Sequence, residues 1–263
     1  MSSTRSPSPP APATEPALLL VAHGSSYGGS AAQTLERHAA ALRTAGGFAD
    51  VVVATLRGAP ALEDVIAGLP AARATVVVPM LMSEGALNQD ELPGRLHAAG
   101  AGGMTVLSPL GTSPALLALA LRRAVAAVEA AGGEATAHRL LLIAHGNAGD
   151  ARGRATVEAA AAAARDAALF ADVDIAFLEE APSVSEALSG RGPPVVAVGW
   201  FAAAGRHASE DVPRLLAAAP GGDRVLWLGA LGEDDTLPAV IADHVSASVA
   251  AAVAPDLSRP AQS

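Results

Sequence analysis

The sequence predicts an α/β fold built from two tandem parallel-sheet αβα sandwich domains, one a duplicate of the other. Three observations carry this. Ala17–Ala22 and Leu140–Ala144 are unbroken apolar runs, and a strand without apolar–polar alternation is one covered on both faces, as in parallel sheets flanked by helices. Strand-like and helix-like segments alternate, the order that right-handed βαβ crossovers generate. Finally, landmarks recur in one register. His23-Gly24 returns as His145-Gly146 and Ala54–Pro60 as Ala176–Pro182, both at an offset of 122; Gly85–Pro93 returns as Gly205–Pro213 at 120, and Leu110-Gly111 as Leu231-Gly232 at 121.

Taken in order, residues 1–16 are rich in Ser, Pro, Thr and Ala, with one arginine and no apolar core region. They read as a disordered lead, neither a signal peptide nor an anchor. The first half, 17–131, opens with the strand Ala17–Ala22 running into His23-Gly24-Ser25-Ser26. A helix follows with Ala31, Leu35, His38 and Leu42 at helical spacing, then a strand Val51–Leu56, a short helix Leu62–Leu69 and a strand Thr75–Leu81. Met82–Gln89 reads as a loop, Asp90–His97 as a helix and Met104–Leu107 as a fourth strand. The long Ala/Leu helix Pro114–Ala131 is ended by Gly132-Gly133. The second half, 138–253, repeats this order, and the tail 254–263 is expected to fray.

Composition narrows the function classes. Of 263 residues 51% are hydrophobic and only 3% aromatic, which gives a sizeable aliphatic core. The absence of cysteine excludes disulfides, thiolate zinc sites, iron–sulfur clusters and cysteine nucleophiles. All 17 basic residues are arginine, so lysine-dependent phosphate loops and Schiff bases are excluded too. The first 123 residues hold eight arginines and eight acids, the remainder nine and eighteen, so the net charge of -9 lies in the second half. That balance argues against nucleic acid. No apolar run approaches the ~18 residues of a membrane span, and a soluble cytoplasmic protein is the expectation.

Duplication is informative where it has diverged. Both halves keep the strand-end imidazole, His23 and His145. Arg57 corresponds to Glu179, however, and Leu87 to His207. Residues after successive strands of a parallel sheet share one edge, so His145, Glu179 and His207 are expected to converge. Two imidazoles and a carboxylate suit a divalent first-row metal and also make a proton-abstracting set.

The pattern Ala-His-Gly after a strand, Phe-Leu-Glu before a Pro, and Gly-x-His-x-x-Glu-Asp-Val-Pro resembles the class II chelatases, specifically the sirohydrochlorin cobaltochelatase/ferrochelatase family, over residues 17–250. The resemblance implies two chelatase-like halves with a macrocycle between them. It implies insertion of Co²⁺ or Fe²⁺ into sirohydrochlorin or a related tetrapyrrole, on a route to cobalamin or sirohaem. The metal is then substrate, with no cofactor permanently bound. By motif, His145 and His207 are the metal-handling imidazoles and Glu179 the matching acid, which leaves the first-half site degenerate. Such a macrocycle carries carboxylates, and Arg152, Arg154 and Arg206, flanking the histidines in sequence, are candidate substrate cations; Glu84 is a candidate additional carboxylate facing the cleft. Asn147-Ala148-Gly149-Asp150 departs from the family's usual Ser-Arg-Asp continuation. Duplication within one chain makes a monomer sufficient.

Two enzyme alternatives lack their motifs: there is no Gly-x-Ser-x-Gly for a hydrolase and no Gly-x-Gly-x-x-Gly for a dinucleotide enzyme. A non-catalytic tetrapyrrole or metal carrier of the same fold is the remaining alternative.

Overall fold

The structure is a computed structural model that describes residues 15–24, 30–70, 73–190 and 192–253. Most of the expected disordered lead, the expected tail 254–263, and Ser25 and Ser26 lie outside these described residues. The first half runs β1 (Ala17–Ala22), α1 (Ser30–Ala45), β2 (Asp50–Thr55), α2 (Leu62–Gly68), β3 (Thr75–Pro79), α3 (Leu92–Ala98), β4 (Thr105–Val106) and α4 (Pro114–Ala130). The second repeats it as β5 (Arg139–Ala144), α5 (Ala151–Asp166), β6 (Asp172–Phe177), α6 (Val184–Ala187), β7 (Val195–Gly199), α7 (Val212–Ala218), β8 (Val225–Ala230) and α8 (Leu237–Val253). Each half is a four-stranded parallel sheet, ordered β2-β1-β3-β4 and β6-β5-β7-β8. No helix among the described residues is long and apolar enough to cross a membrane.

The apolar strands are buried on both faces because alternate side chains enter different cores. Leu18, Leu20 and Ala22 of β1, and Leu140, Leu142 and Ala144 of β5, point into one shared core with buried residues of α1, α4, α5 and α8. Leu19 and Val21 pack instead with Leu62, Ile66, Leu92 and Leu96 of α2 and α3. Leu141 and Ile143 pack with Val184, Val212 and Leu216. The result is five layers, in which four helices lie between the two sheets.

The closing helices are exchanged. The first half's α4 packs on β7 and β8, while α8 packs on β3 and α1. Equivalent side chains seal the exchange: Arg123 of α4 donates to the carbonyls of Leu228 (2.6 Å) and Ala230 (3.1 Å), and His244 of α8 donates to that of Ser108 (2.9 Å). The halves thus share a core and are not separable along the chain boundary.

Helix onset after the third strand differs from expectation. It begins at Leu87 rather than Asp90, with a π turn, Leu87–Glu91, leading into α3; His207–Asp211 forms the same turn before α7. Leu92 and Val212 donate to the carbonyls five residues back, Leu87 and His207. Pro93 and Pro213 follow directly and have no N–H to continue an α ladder through the turn, so the wide turn is bonded where the ladder is interrupted. The fourth strand is only Thr105–Val106 because it pairs on one side, with β3.

Candidate active site between the halves

A cavity of about 760 Å³ opens between the halves at the carboxyl ends of both sheets, where α/β folds bind ligands. His23, Met82 and Glu84 from the first half line it together with His145, Trp200 and His207 from the second. The Trp200 indole N–H donates to the Met82 carbonyl (2.9 Å), tying the two walls at the floor.

Backbone geometry delivers both strand-end histidines. Gly24 and Gly146 have φ of +77° and +79°, the left-handed region that suits glycine. Space forbids a side chain as well: a Cβ on Gly24 would lie 1.8 Å from the Arg57 carbonyl oxygen, and one on Gly146 2.8 Å from Cγ of Glu180. The chain crossing beside each turn is fixed by Arg57 N–H donating to His23 O (2.8 Å) and Glu179 N–H to His145 O (3.0 Å). Arg57 and Glu179 are structurally equivalent, as the offsets predict.

The structure brings His145, His207 and Glu179 together. The imidazole centroids are 4.7 Å apart, edge to face, and His145 Nε2 is 3.5 Å from Glu179 Oε1. His145 Nδ1 donates to the Gly146 carbonyl (2.8 Å) and His207 Nδ1 to Asp211 Oδ2 (3.0 Å), because those oxygens only accept. In each neutral ring the lone pair therefore sits on Nε2. The Nε2 of His145 and the Glu179 carboxylate oxygen are then two electron-pair donors facing each other. Two donors held about 2.1 Å from a first-row cation stand about 3.0–3.4 Å apart at octahedral to tetrahedral angles, close to the spacing seen here. Among the described residues no three His, Asp or Glu side chains enclose a metal-sized space, so this is an open pair with a neighbouring imidazole. His145 and Glu179 are 46% and 58% exposed, within reach of an incoming ion.

The first half carries different chemistry on the same frame. Arg57 forms a two-pronged pair with Glu91, and Leu87 stands where His207 does. His23 is exposed and lines the cavity with a guanidinium, rather than a carboxylate, at the adjoining strand end. Glu84 is in the wall, its carboxylate accepting from the amides of Asn88 and Gln89.

The arginines separate. Arg206 lines the cavity and is 73% exposed, its Nε no nearer than 3.8 Å to Glu210 and Asp211. Arg152 and Arg154, expected as substrate cations, are engaged elsewhere. Arg152 holds Asp150 (2.8 Å) and Gln89 (2.6 Å), and the same pairing lowers the Asp150 carboxyl to about 2. Arg154 lies over the Phe177 ring and binds Glu180 (2.8 Å) and the Ala181 carbonyl. Both are structural ties, and neither lines the cavity. Sequence reasoning passed over two carboxylates that brace the site. Asp211 was visible as the acid four residues after His207, a spacing that puts side chains together. Glu233 carried no local signal: it accepts from Thr34 Oγ1 of the other half and from Ala204 N–H, both at 2.8 Å, and pairs with Arg37.

Two pseudo-equivalent α/β halves closing on one cavity, with imidazoles at matching strand ends, are the architecture of a duplicated class II chelatase. A family model named CbiX matches residues 17–127 and again 139–248, and the chain belongs to the CbiX family. Among solved structures it is similar to CbiX described as the terminal enzyme of sirohaem biosynthesis in denitrifying bacteria, at 28% identity over 88% of this chain and 98% of that one, TM-score 0.72. SirB from Bacillus subtilis with Fe³⁺ shares 18% identity over 91% and 97% of the two chains, TM-score 0.69. The sirohydrochlorin chelatase SirB of Bacillus subtilis subspecies spizizenii with cobalt shares 17% over 89% and 94%, TM-score 0.67; these last two speak to fold alone. No curated protein sequence matches the chain.

Proposed function

We propose that the protein inserts a divalent metal, Co²⁺ or Fe²⁺, into sirohydrochlorin or a closely related tetrapyrrole. The observation that carries this reading is the facing pair of His145 Nε2 and Glu179 Oε1, with His207 edge-on beside it, both imidazoles lining a cavity shared by the two halves. Metallation exchanges one M²⁺ for two pyrrole protons, so the site needs ligands that release the ion and bases that accept protons. Neutral imidazole does both near pH 7, and imidazole with carboxylate suits either metal without the tight grip of thiolate. In this reading His145, His207 and Glu179 receive the hydrated ion. As the ion passes to the macrocycle, the two freed imidazole Nε2 atoms take the two pyrrole protons and release them to water. Arg206 is the cation available to a substrate carboxylate. The description of the CbiX relative as a sirohaem enzyme favours Fe²⁺ as the physiological substrate.

The test is an anaerobic absorbance assay of sirohydrochlorin with Fe²⁺, Co²⁺ and Ni²⁺ at catalytic protein concentration. Many metal-dependent turnovers per chain are expected with Fe²⁺ or Co²⁺. Stoichiometric binding without turnover would instead make the protein a tetrapyrrole or metal carrier.

A further inference from the structure

The two π turns act as an internal comparison. They have the same backbone, begin at Leu87 and His207, and end in a carboxylate, Glu91 or Asp211. In the first half that carboxylate reaches outward to Arg57 and Arg95. In the second the residue is one methylene shorter, the residue at the Arg57 position is Glu179, and the carboxylate folds back on its own turn. Asp211 is only 16% exposed and divides its oxygens: Oδ2 accepts from His207 Nδ1 at 3.0 Å, and Oδ1 accepts from Arg214 at 3.0 Å. Arg206 lies 3.8 Å from Oδ1. The carboxylate is thereby held on one side by the Arg214 guanidinium and presents its other oxygen to the imidazole.

We infer that Asp211 is a positioning residue for His207, fixing the Nδ1–H tautomer so that an Nε2 lone pair is directed to the reacting centre. A free neutral imidazole can carry its proton on either nitrogen, and a carboxylate at Nδ1 removes that freedom; partners of this kind orient metal-handling histidines and raise their basicity. Phe201, tilted 30° to the His207 ring with centroids 6.4 Å apart, flanks the ring without competing for either nitrogen. Among the described residues Nε2 of His207 has no hydrogen-bond partner, so the proton on Nδ1 leaves it free for a ligand. The purpose of this arrangement rests on the chelatase reading; the arrangement itself does not.

The experiment uses the full chain with ¹⁵N-labelled histidine, the His207 signals being assigned by their loss in His207→Gln. Long-range ¹H–¹⁵N correlation reads the tautomer, and calorimetric titration with Co²⁺ alone reads metal affinity. The unaltered protein should show Nδ1–H at His207. Asp211→Ala should shift that signal toward Nε2–H and weaken Co²⁺ binding about 10–100-fold, while Asp211→Asn, which keeps an acceptor oxygen, should recover most of both. Glu91→Ala empties the same place in the imidazole-free turn and should move neither readout, separating orientation from turn stability. An Nε2–H tautomer in the unaltered protein, an unmoved tautomer in Asp211→Ala, or unchanged Co²⁺ affinity despite a moved tautomer would each overturn the inference. Normal tautomer and Co²⁺ responses without turnover of sirohydrochlorin would instead overturn the proposed function and leave the role of Asp211 standing.

Discussion

If the chemistry belongs to the second half, the two strand-end histidines should behave differently although both line one cavity. The perturbation is removal of each imidazole in turn: His145→Ala, His207→Ala and His23→Ala, with Glu179→Gln beside them. The folded structure loses little in the key variant, because the His145 ring makes one hydrogen bond, to the neighbouring Gly146 carbonyl, and is half exposed. Changes at such positions cost within about 0.5 kcal/mol, which is about 1–2 °C in Tm for a chain of this size. Loss of a base or ligand from the reacting centre costs about 10²–10⁴-fold in rate. A large fall in rate at nearly constant Tm is therefore expected for His145→Ala and His207→Ala. Glu179→Gln keeps the shape and one acceptor but loses the charge that faces Nε2 across 3.5 Å, and should impair insertion by less. His23→Ala should remain largely active, since Arg57 and Leu87 occupy the positions where the second half has Glu179 and His207. The assay is the initial rate of absorbance change with Co²⁺, normalised to folded protein by circular dichroism. A folded His23→Ala as inactive as His145→Ala would show that the reacting centre spans both halves and would refute the one-sided assignment.

Two further outcomes follow from the electrostatics. Burial lowers the pKa of His38 below its ordinary 6.5, although the ring donates to the Gly232 carbonyl at 2.7 Å; burial raises that of Glu233, but hydrogen bonds from Ala204, Thr34 and Arg37 outweigh it and leave it below 4.5. In both cases the unfolded chain binds the proton more readily. Stability is therefore complete above about pH 6.5, declines first as His38 is forced to charge and again as pH falls through the carboxylate range; thermal melts against pH should show both segments, and His38→Gln should remove the first while Glu233→Gln reduces the second, to which the Arg-paired Asp150 and Glu63 also contribute. Separately, Arg206→Gln should weaken sirohydrochlorin binding measured by fluorescence quenching, whereas Arg154→Gln should leave it unchanged and lower stability by about 1 kcal/mol, because Arg154 is held by Glu180 away from the cavity; equal loss of affinity in both would return Arg154 to the substrate site.

Much of this was legible in the sequence because the signals were local. An apolar run ending in His-Gly announces a buried strand and a sharp turn, and the turn requires glycine at 24 and 146 for reasons of both φ and space. The convergence of His145, Glu179 and His207 followed from parallel topology alone, since it needs only that successive strands end on one edge. The arginines show where such reasoning stops. Nearness in sequence to a histidine placed Arg152 and Arg154 beside the site, but on α5 their partners were decided by Asp150, Gln89 and Glu180, and an arginine already paired with a carboxylate is a poor receptor for another. The helix exchange was not legible either. Both α4 and α8 are Ala/Leu/Val-rich on the buried face, and nothing in that pattern says which of two similar sheets each will cover.

That exchange bears on what the first half contributes although it lacks the second half's donor set. With α4 lying on β7 and β8, and α8 on β3, most of the buried apolar residues of each closing helix belong to a core shared with the other half. Glu233 and Thr34 extend the dependence to the loop that leads into His207: Thr34 on α1 holds Glu233, and Glu233 holds the Ala204 N–H, three residues before the imidazole. The equivalent tie in the opposite direction is direct, Glu84 N–H donating to Thr156 Oγ1 of α5 at 3.1 Å. Each half therefore positions the other's third-strand loop. On the proposed function one macrocycle in the shared cavity meets one donor set, so a second set in the first half has no reaction to serve. What the first half must retain is the frame that aims the second half's loop, and that demand falls on Thr34, the α1 backbone and the paired carboxylates rather than on positions 57 and 87.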